Sequence, residues 1–175
     1  MALWSYHPKF VADPKGELHD ALRAELEPLT VPHYSRRSCL FSLKGNITYN
    51  SGIPPRRWDE SPLIMLLKKL VETYCGREVD YCLAHIYTDG SATIGWHNDS
   101  EALKSDVLSL SFGAPRKFRF RKIGTTKGWE HEQVLGNGDL FHMHRGCQEV
   151  YEHCVPVETK IKGSRINLTF RFFEK

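Results

Sequence analysis

Arg165-Ile166-Asn167-Leu168-Thr169-Phe170-Arg171 alternates polar and apolar residues without a break. Successive side chains of an extended strand point to opposite faces, so Arg165, Asn167, Thr169 and Arg171 share one face and Ile166, Leu168 and Phe170 the other. A strand whose polar face only meets water rarely needs an arginine at both ends of it. If that face lines a barrel instead, two buried cations need anionic partners. Six residues of extended chain set the two terminal Cα atoms about 20 Å apart. Long side chains bending inward leave a gap that suits a small dicarboxylate held at both ends, and arginine is the residue for bidentate carboxylate capture.

Working outward from this strand, the chain from Val79 onward reads as short strands between turn signals. Tyr81 to Tyr87 precedes the turn dipeptide Asp89-Gly90; Val107 to Phe112, Lys117 to Arg121 and Trp129 to Leu135 follow. Gly136-Asn137-Gly138-Asp139 is a tight turn leading into Leu140 to Met143. Upstream, Asp13-Pro14-Lys15-Gly16-Glu17 opens a helix whose face is Leu18, Leu22 and Leu26. Ser61-Pro62 opens another with Leu63, Leu66, Leu67 and Leu70, ended by Gly76. The expected fold is mainly β with flanking helices. Its core is a double-stranded β-helix (jelly-roll, cupin-like), with two N-terminal helices packed on the sheet. At 175 residues the chain is expected to be one domain: residues 1–60 a helix and a lid, residues 61–175 a helix and the jelly-roll core.

Composition narrows the class. Hydrophobic residues make up 41% of the chain and mean hydropathy is −0.43, as in a soluble globular protein. No apolar run approaches the roughly 20 residues of a membrane helix, so no membrane association is expected. Met1 to Phe10 lacks the basic and apolar regions of a signal peptide. The five cysteines (Cys39, Cys75, Cys82, Cys147, Cys154) are odd in number and never in CxxC spacing, which fits free thiols in a reducing intracellular compartment, cytoplasm or nucleus. A net charge of +3 permits a polyanionic partner without demonstrating one.

Gly95-Trp96-His97-Asn98-Asp99-Ser100 carries the metal-ligating types. Residues two apart on a strand share a face, so His97 and Asp99 can reach one ion. With a distant second histidine they make the triad that holds non-haem Fe(II) and leaves positions open. Spacing alone leaves His142, His144 and His153 as candidates for the distal ligand. Between His33 and Trp58, cations (Arg36, Arg37, Lys44, Arg56, Arg57) interleave with rings (Tyr34, Phe41, Tyr49, Trp58) among glycines and prolines. The segment reads either as a solvated loop or as a platform for phosphates and stacked bases.

These motifs together resemble the AlkB family of Fe(II)/2-oxoglutarate dioxygenases, and within it the nucleic-acid repair demethylases. The resemblance rests on Tyr87-x-Asp89-Gly90, Ile94-Gly95-x-His97-x-Asp99-x-Glu101, Leu108 to Ala114, and Gly138-Asp139-Leu140 with Met143 and Gln148. His153-Cys154-Val155-Pro156 and the Arg165–Arg171 strand complete it. It implies Fe(II) held by His97, Asp99 and His153, because His153 matches the family's His-x-x-Pro position and Arg165 follows 12 residues later. His142 and His144 are then expected to be a structural pair. It further implies 2-oxoglutarate held by Arg165 and Tyr87 at the far carboxylate and by Arg171, with Asn167 nearby, at the chelating end. His85 stands where the family commonly has an asparagine.

The implied reaction is oxidative demethylation of N-alkylated bases in methylated DNA or RNA, consuming O2 and releasing formaldehyde, succinate and CO2. The residues His33 to Trp58 become the expected lid, with Tyr49 and Trp58 stacking, Arg36 and Arg37 on phosphates, and Glu101 sensing an exocyclic amine. A monomer is expected. Two other readings compete: a 2-oxoglutarate-dependent hydroxylase or demethylase of protein, and a non-catalytic nucleic-acid-binding relative.

Overall fold

The computed structural model describes residues 2–42 and 52–173. In chain order the strands and α-helices are β1 (Trp4–His7), α1 (Glu17–Leu26), β2 (Val31–His33), β3 (Arg36–Ser42), β4 (Pro55–Arg56), α2 (Pro62–Cys75), β5 (Tyr81–Tyr87) and β6 (Ile94–His97). They continue with β7 (Val107–Gly113), β8 (Arg116–Lys122), β9 (His131–Leu135), β10 (Asp139–Met143), α3 (Cys147–Val150), β11 (Tyr151–Val155) and β12 (Arg165–Arg171).

The strands form two sheets. The major sheet runs β1-β10-β7-β12-β5-β3-β2, with β4 added in parallel to β3; the minor sheet runs β6-β11-β8-β9. β12 is central, antiparallel to β5 on one side and to β7 on the other. Its apolar face, Ile166, Leu168 and Phe170, packs with Leu22 and Leu26 of α1 and Ile64, Leu67 and Val71 of α2. Its polar face turns inward between the sheets. There the sheets meet through aromatic residues: Phe118 and Phe120 of β8 lie 5.4 and 5.3 Å from Phe141 of β10. This is the expected jelly roll, with helices on the outer face of the major sheet.

The helix signals act as read. The Asp13 carboxylate accepts from the Leu18 and His19 amides at 3.1 Å each, satisfying donors that the first helical turn leaves open. Ser61 Oγ accepts from the Ile64 amide at 3.3 Å, and Gly76 closes α2 in the left-handed conformation at φ 66°. The Gly136–Asp139 turn requires its second glycine. Gly138 has φ +82°, and a Cβ there would stand 1.9 Å from the Val11 carbonyl oxygen.

Three expectations change. The segment from His33, read as irregular, begins as an antiparallel hairpin of β2 and β3 at the edge of the major sheet. Phe41 and Trp58 from it lie in the core, their rings 6.1 Å apart. The strand expected from Trp129 starts at His131. In addition, β1 and β11, four and five residues long and lacking a clear alternation, were not anticipated, and β6, the strand on which His97 and Asp99 were expected to share a face, ends at His97 with Asp99 beyond it. Tyr49 and Lys44 lie outside the described residues.

Candidate metal and co-substrate site

His97 ends β6 and is paired in register with His153 on β11, with ring centroids 4.3 Å apart. Asp99 follows at the entrance to the 3-10 turn Ser100–Ala102. Ligand atoms of His97, Asp99 and His153 all lie within 4.8 Å of one another. His142 cannot join them. On β10, Phe141 and Met143 belong to the cluster between the sheets, so period 2 sends His142 to the other face, where it meets Tyr74 of α2.

The cluster fits a metal ion. His97 Nδ1 donates to the Gly95 carbonyl at 2.8 Å, which leaves the lone pair on Nε2. Asp99 Oδ2 and His153 Nδ1 are buried without a hydrogen-bond partner among the described residues. Each such orphan costs about 1–3 kcal/mol, a cost that an ion in their midst relieves. Burial pushes the Asp99 carboxyl up, but Arg171, His153 and His97 outweigh it and hold the group below the usual carboxylate range. Burial, reinforced by His97, pushes His153 down to about 3. The site therefore presents a carboxylate and a neutral imidazole, the forms that ligate metals. Two histidines and one carboxylate are the donor set of non-haem Fe(II) sites.

Arg171 joins this cluster to β12. It donates to Asp99 Oδ1 at 2.8 Å and also ion-pairs with Glu101. Asn167 donates to Ser109 Oγ at 2.8 Å and lies opposite His85 on β5. His85 is hydrogen-bonded to Ser38 Oγ at 2.6 Å. Burial, with Arg36 and Arg171 adding to it, keeps it well below the usual histidine range and so neutral. Arg165, opposite Tyr87 in register, is 2% exposed. Its Nη2 donates to Ser111 Oγ at 2.9 Å, and its Cζ is 5.0 Å from the Tyr87 ring centre. Its Nε and Nη1 are buried without a hydrogen-bond partner among the described residues. A buried guanidinium with two donors unused among the described residues, beside the Tyr87 side chain, is fit to receive an anionic group.

Outside the triad opens a cleft of about 670 Å³, lined by His33–Arg36, Leu83, His85, Thr93–Glu101 and Arg171. Tyr34 stands at its rim, 89% exposed, with φ 54°. An inner pocket of about 30 Å³ continues past His85, His97, Asp99 and Arg171 to Tyr87, Asn167 and Thr169.

The expected base-gripping residues fare differently. Trp58 is 5% exposed, stacked on Phe41 and covered by Lys68 at 5.3 Å, so it is a core ring and cannot stack on a base. Arg37 spends its guanidinium on Thr30, to the hydroxyl at 2.9 Å and the carbonyl at 2.8 Å. Arg36 is buried and donates to the Thr93 carbonyl at 2.6 Å. Both therefore brace the β2–β3 hairpin rather than extend toward phosphates, although Arg36 also lines the cleft. Glu101 does border the cleft, but its carboxylate is held by Arg171. Two buried residues escaped the sequence reading. Gln148 accepts from the Asp99 amide at 2.9 Å. Arg116 ties the turn before β6 together through the Asp89, Ala92 and Pro156 carbonyls and Glu158. Gln148 stood in a quoted motif without a role; Arg116 lies one residue before the expected strand Lys117–Arg121, which in fact begins with it.

Residues 27–171 match the family model of the 2OG-Fe(II) oxygenase superfamily. Among curated proteins, the chain is 34% identical over 115 residues to the uncharacterized protein R406 of Acanthamoeba polyphaga mimivirus, covering 63% of this chain and 59% of that protein. It is 34% identical over 128 residues to the DNA oxidative demethylase ALKBH2 of Bos taurus, covering 68% of this chain and 45% of that one. It is 32% identical over 120 residues to the alpha-ketoglutarate-dependent dioxygenase alkB homolog 3 of Bos taurus, covering 63% and 42%. The chain thus spans about half the length of the curated relatives it matches. The solved structure of OsALKBH1 superimposes with a TM-score of 0.71 at 17% identity, over 98% of this chain and 99% of that one, a likeness of fold. The chain belongs to the 2OG-Fe(II) oxygenase superfamily, whose members use Fe(II) and 2-oxoglutarate. Within it, the chain is a member of the AlkB family.

Proposed function

We propose that this chain is an Fe(II)/2-oxoglutarate-dependent dioxygenase that oxidatively demethylates N-methylated bases of nucleic acid, and that it acts as one catalytic domain. The observation that carries the reading is two sets of buried groups without a partner among the described residues: the His97–Asp99–His153 cluster, which lines the inner pocket, and the Arg165 guanidinium behind Tyr87, which lines the same pocket. In this reading His97, Asp99 and His153 hold Fe(II). Arg165 takes the far carboxylate of 2-oxoglutarate through Nε and Nη1, with Tyr87 beside it. Arg171 fixes the Asp99 carboxylate and faces the chelating end of the co-substrate. Asn167 and His85 line the path between the arginines. The inner pocket holds only about 30 Å³, so entry of the dicarboxylate requires lining side chains to move.

Fe(II) with 2-oxoglutarate and O2 supplies oxidation of a methyl carbon bonded to nitrogen, after which formaldehyde leaves and the base is restored. The chain's own part is orientation. Gln148 holds the Asp99 amide, Gly95 sets the His97 tautomer, and the buried walls of the pocket exclude water from the co-substrate. A base inside a duplex cannot reach such a centre and must be flipped out or arrive single-stranded. The outer cleft supports a base as substrate: Tyr34 and Trp96 offer rings on its walls and Glu101 an acceptor. The ALKBH2 relatives, named as DNA oxidative demethylases, support the same reading.

The test is mass spectrometry of oligonucleotides carrying 1-methyladenine, 3-methylcytosine or N6-methyladenine, as DNA and as RNA, after incubation with Fe(II), 2-oxoglutarate and O2. Loss of one methyl group with matching formaldehyde is expected for at least one of them. Succinate release that no oligonucleotide stimulates, but a peptide does, would move the assignment to a protein hydroxylase.

A further inference from the structure

A second group of ligating side chains sits on the opposite face of the major sheet from the triad. Asp106, His142 and His144 bring ligand atoms within 4.8 Å of one another. His142 Nε2 is 3.0 Å and His144 Nδ1 3.8 Å from Asp106 Oδ1, and the two imidazole centroids are 4.1 Å apart. We propose that Asp106, His142 and His144 form a second divalent-cation site, of the zinc class, independent of the iron centre.

Four features carry the assignment. The donor set is two imidazoles and one carboxylate, which suits Zn(II) with a fourth position for water. Ligands about 2.0–2.1 Å from a tetrahedral ion lie roughly 3.3 Å from one another, and the two nitrogen-to-oxygen separations straddle that value. The outer partners are present: Tyr74 Oη lies 3.2 Å from His142 Nδ1, and His7 Nε2 lies 2.8 Å from Tyr74 Oη. An acceptor on the far ring nitrogen is what orients a ligating histidine. The Arg145 amide donates to Asp106 Oδ1 at 3.1 Å and steadies the carboxylate. Finally, an ion has a way in, because the His144 and Asp106 side chains are 36% and 35% exposed. In the His142 tautomer that carries its single proton on Nδ1, donated to Tyr74 Oη, the Nε2 lone pair facing Asp106 is free for the ion.

The site would clamp the end of β10 and the chain before β7 beneath the C-terminal end of α2. It draws on nothing in the iron centre, so it stands or falls separately from the proposed activity. The test is calorimetric titration of the metal-stripped full chain with Zn(II). Wild type should bind two equivalents. His97→Ala should retain one, at the second site, and His144→Ala should retain one, at the triad. The double variant should bind none. Asp106→Asn separates a metal site from a mere hydrogen-bonded clasp, since the amide oxygen can still accept from His142 but is a poor ligand. In the His97→Ala background, Zn(II) should raise the melting temperature, and adding Asp106→Asn should abolish that rise while leaving the metal-free melting temperature nearly unchanged. No Zn(II) bound by His97→Ala overturns the proposal, as does an undiminished rise with Asp106→Asn or two equivalents retained by His144→Ala.

Discussion

Replacing Arg165 by methionine should weaken 2-oxoglutarate binding and, without co-substrate, leave the protein as stable or make it more so. The two effects have opposite signs and one origin. Arg165 is 2% exposed, with Nη2 on Ser111 and with Nε and Nη1 lacking a hydrogen-bond partner among the described residues. Burial lowers its pKa, opposed by Tyr87, so the folded chain alone does not favour this charge. Exchanging a buried, poorly paired ion for an apolar side chain of similar volume is often neutral or stabilising by about 1–4 kcal/mol. The co-substrate reverses the balance. Removing one partner of a buried charge pair costs about 2–5 kcal/mol, and each 1.4 kcal/mol is about tenfold in affinity. The Michaelis constant for 2-oxoglutarate should therefore rise by roughly 30-fold to several thousand-fold. Two assays read this. Succinate release against 2-oxoglutarate concentration gives the Michaelis constant. Thermal melting with Mn(II), with and without 2-oxoglutarate, gives the linked stabilisation, since a ligand bound only to the native state raises the transition. Wild type should melt higher with co-substrate, and Arg165→Met should melt at or above the bare wild type and ignore 2-oxoglutarate. An unchanged Michaelis constant in the folded variant would show that the unsatisfied donors serve something other than the far carboxylate.

Asp99→Ala should abolish succinate release and Mn(II)-dependent stabilisation together, and cost about 3–5 kcal/mol in urea melts, because Arg171 loses a buried partner; turnover near that of wild type would remove Asp99 from the metal site. Trp58→Ala should cost about 3–5 kcal/mol of stability as a core truncation, while Tyr34→Ala should leave stability intact and weaken oligonucleotide binding by about 1–3 kcal/mol. Melting curves beside fluorescence anisotropy separate the two, and a Tyr34→Ala variant that binds like wild type would take the rim of the cleft out of substrate binding. Gly138→Ala forces a Cβ to within 1.9 Å of the Val11 carbonyl oxygen at φ +82°, so a loss exceeding about 1 kcal/mol is expected from backbone strain alone, read as a lower denaturant midpoint.

Much of this structure was legible where a local rule and the tertiary context agree. The alternation of Arg165–Arg171 survives as a strand with one face on the helices and the other on the pocket. Asp13, Ser61 and Gly76 cap as their residue types demand. His97 and Asp99 converge with His153, a pairing that spacing alone could not choose over His142 or His144. What chose it is strand parity: His142 falls between two inward residues, Phe141 and Met143, and must point outward. The failures share a different cause. Arg36, Arg37 and Trp58 were read by residue type, as cations and a ring in a glycine- and proline-rich stretch. Their fate was decided by partners far along the chain or in another element, the Thr93 carbonyl for Arg36 and Phe41 with Lys68 for Trp58. Composition reports what a side chain can bind. It does not report whether the backbone has already taken it.

That distinction also explains why β12 organises both the fold and the site. Its seven residues are paired on both sides, to Tyr81–Tyr87 and to Val107–Gly113. A slip of one residue would turn every side chain to the opposite face, placing Arg165 and Arg171 against α1 and α2 and Phe170 in the pocket. Both outcomes are costly, the first through unpaired buried charge, the second through polar lining lost where Asp99 and His85 need it. The register that buries Ile166, Leu168 and Phe170 is thus the register that aims the arginines. The hydrophobic face fixes the geometry to which the polar face owes its chemistry. Arg165 can remain incompletely satisfied in the bare protein because three apolar neighbours on the same strand, already committed to the helices, hold it in place.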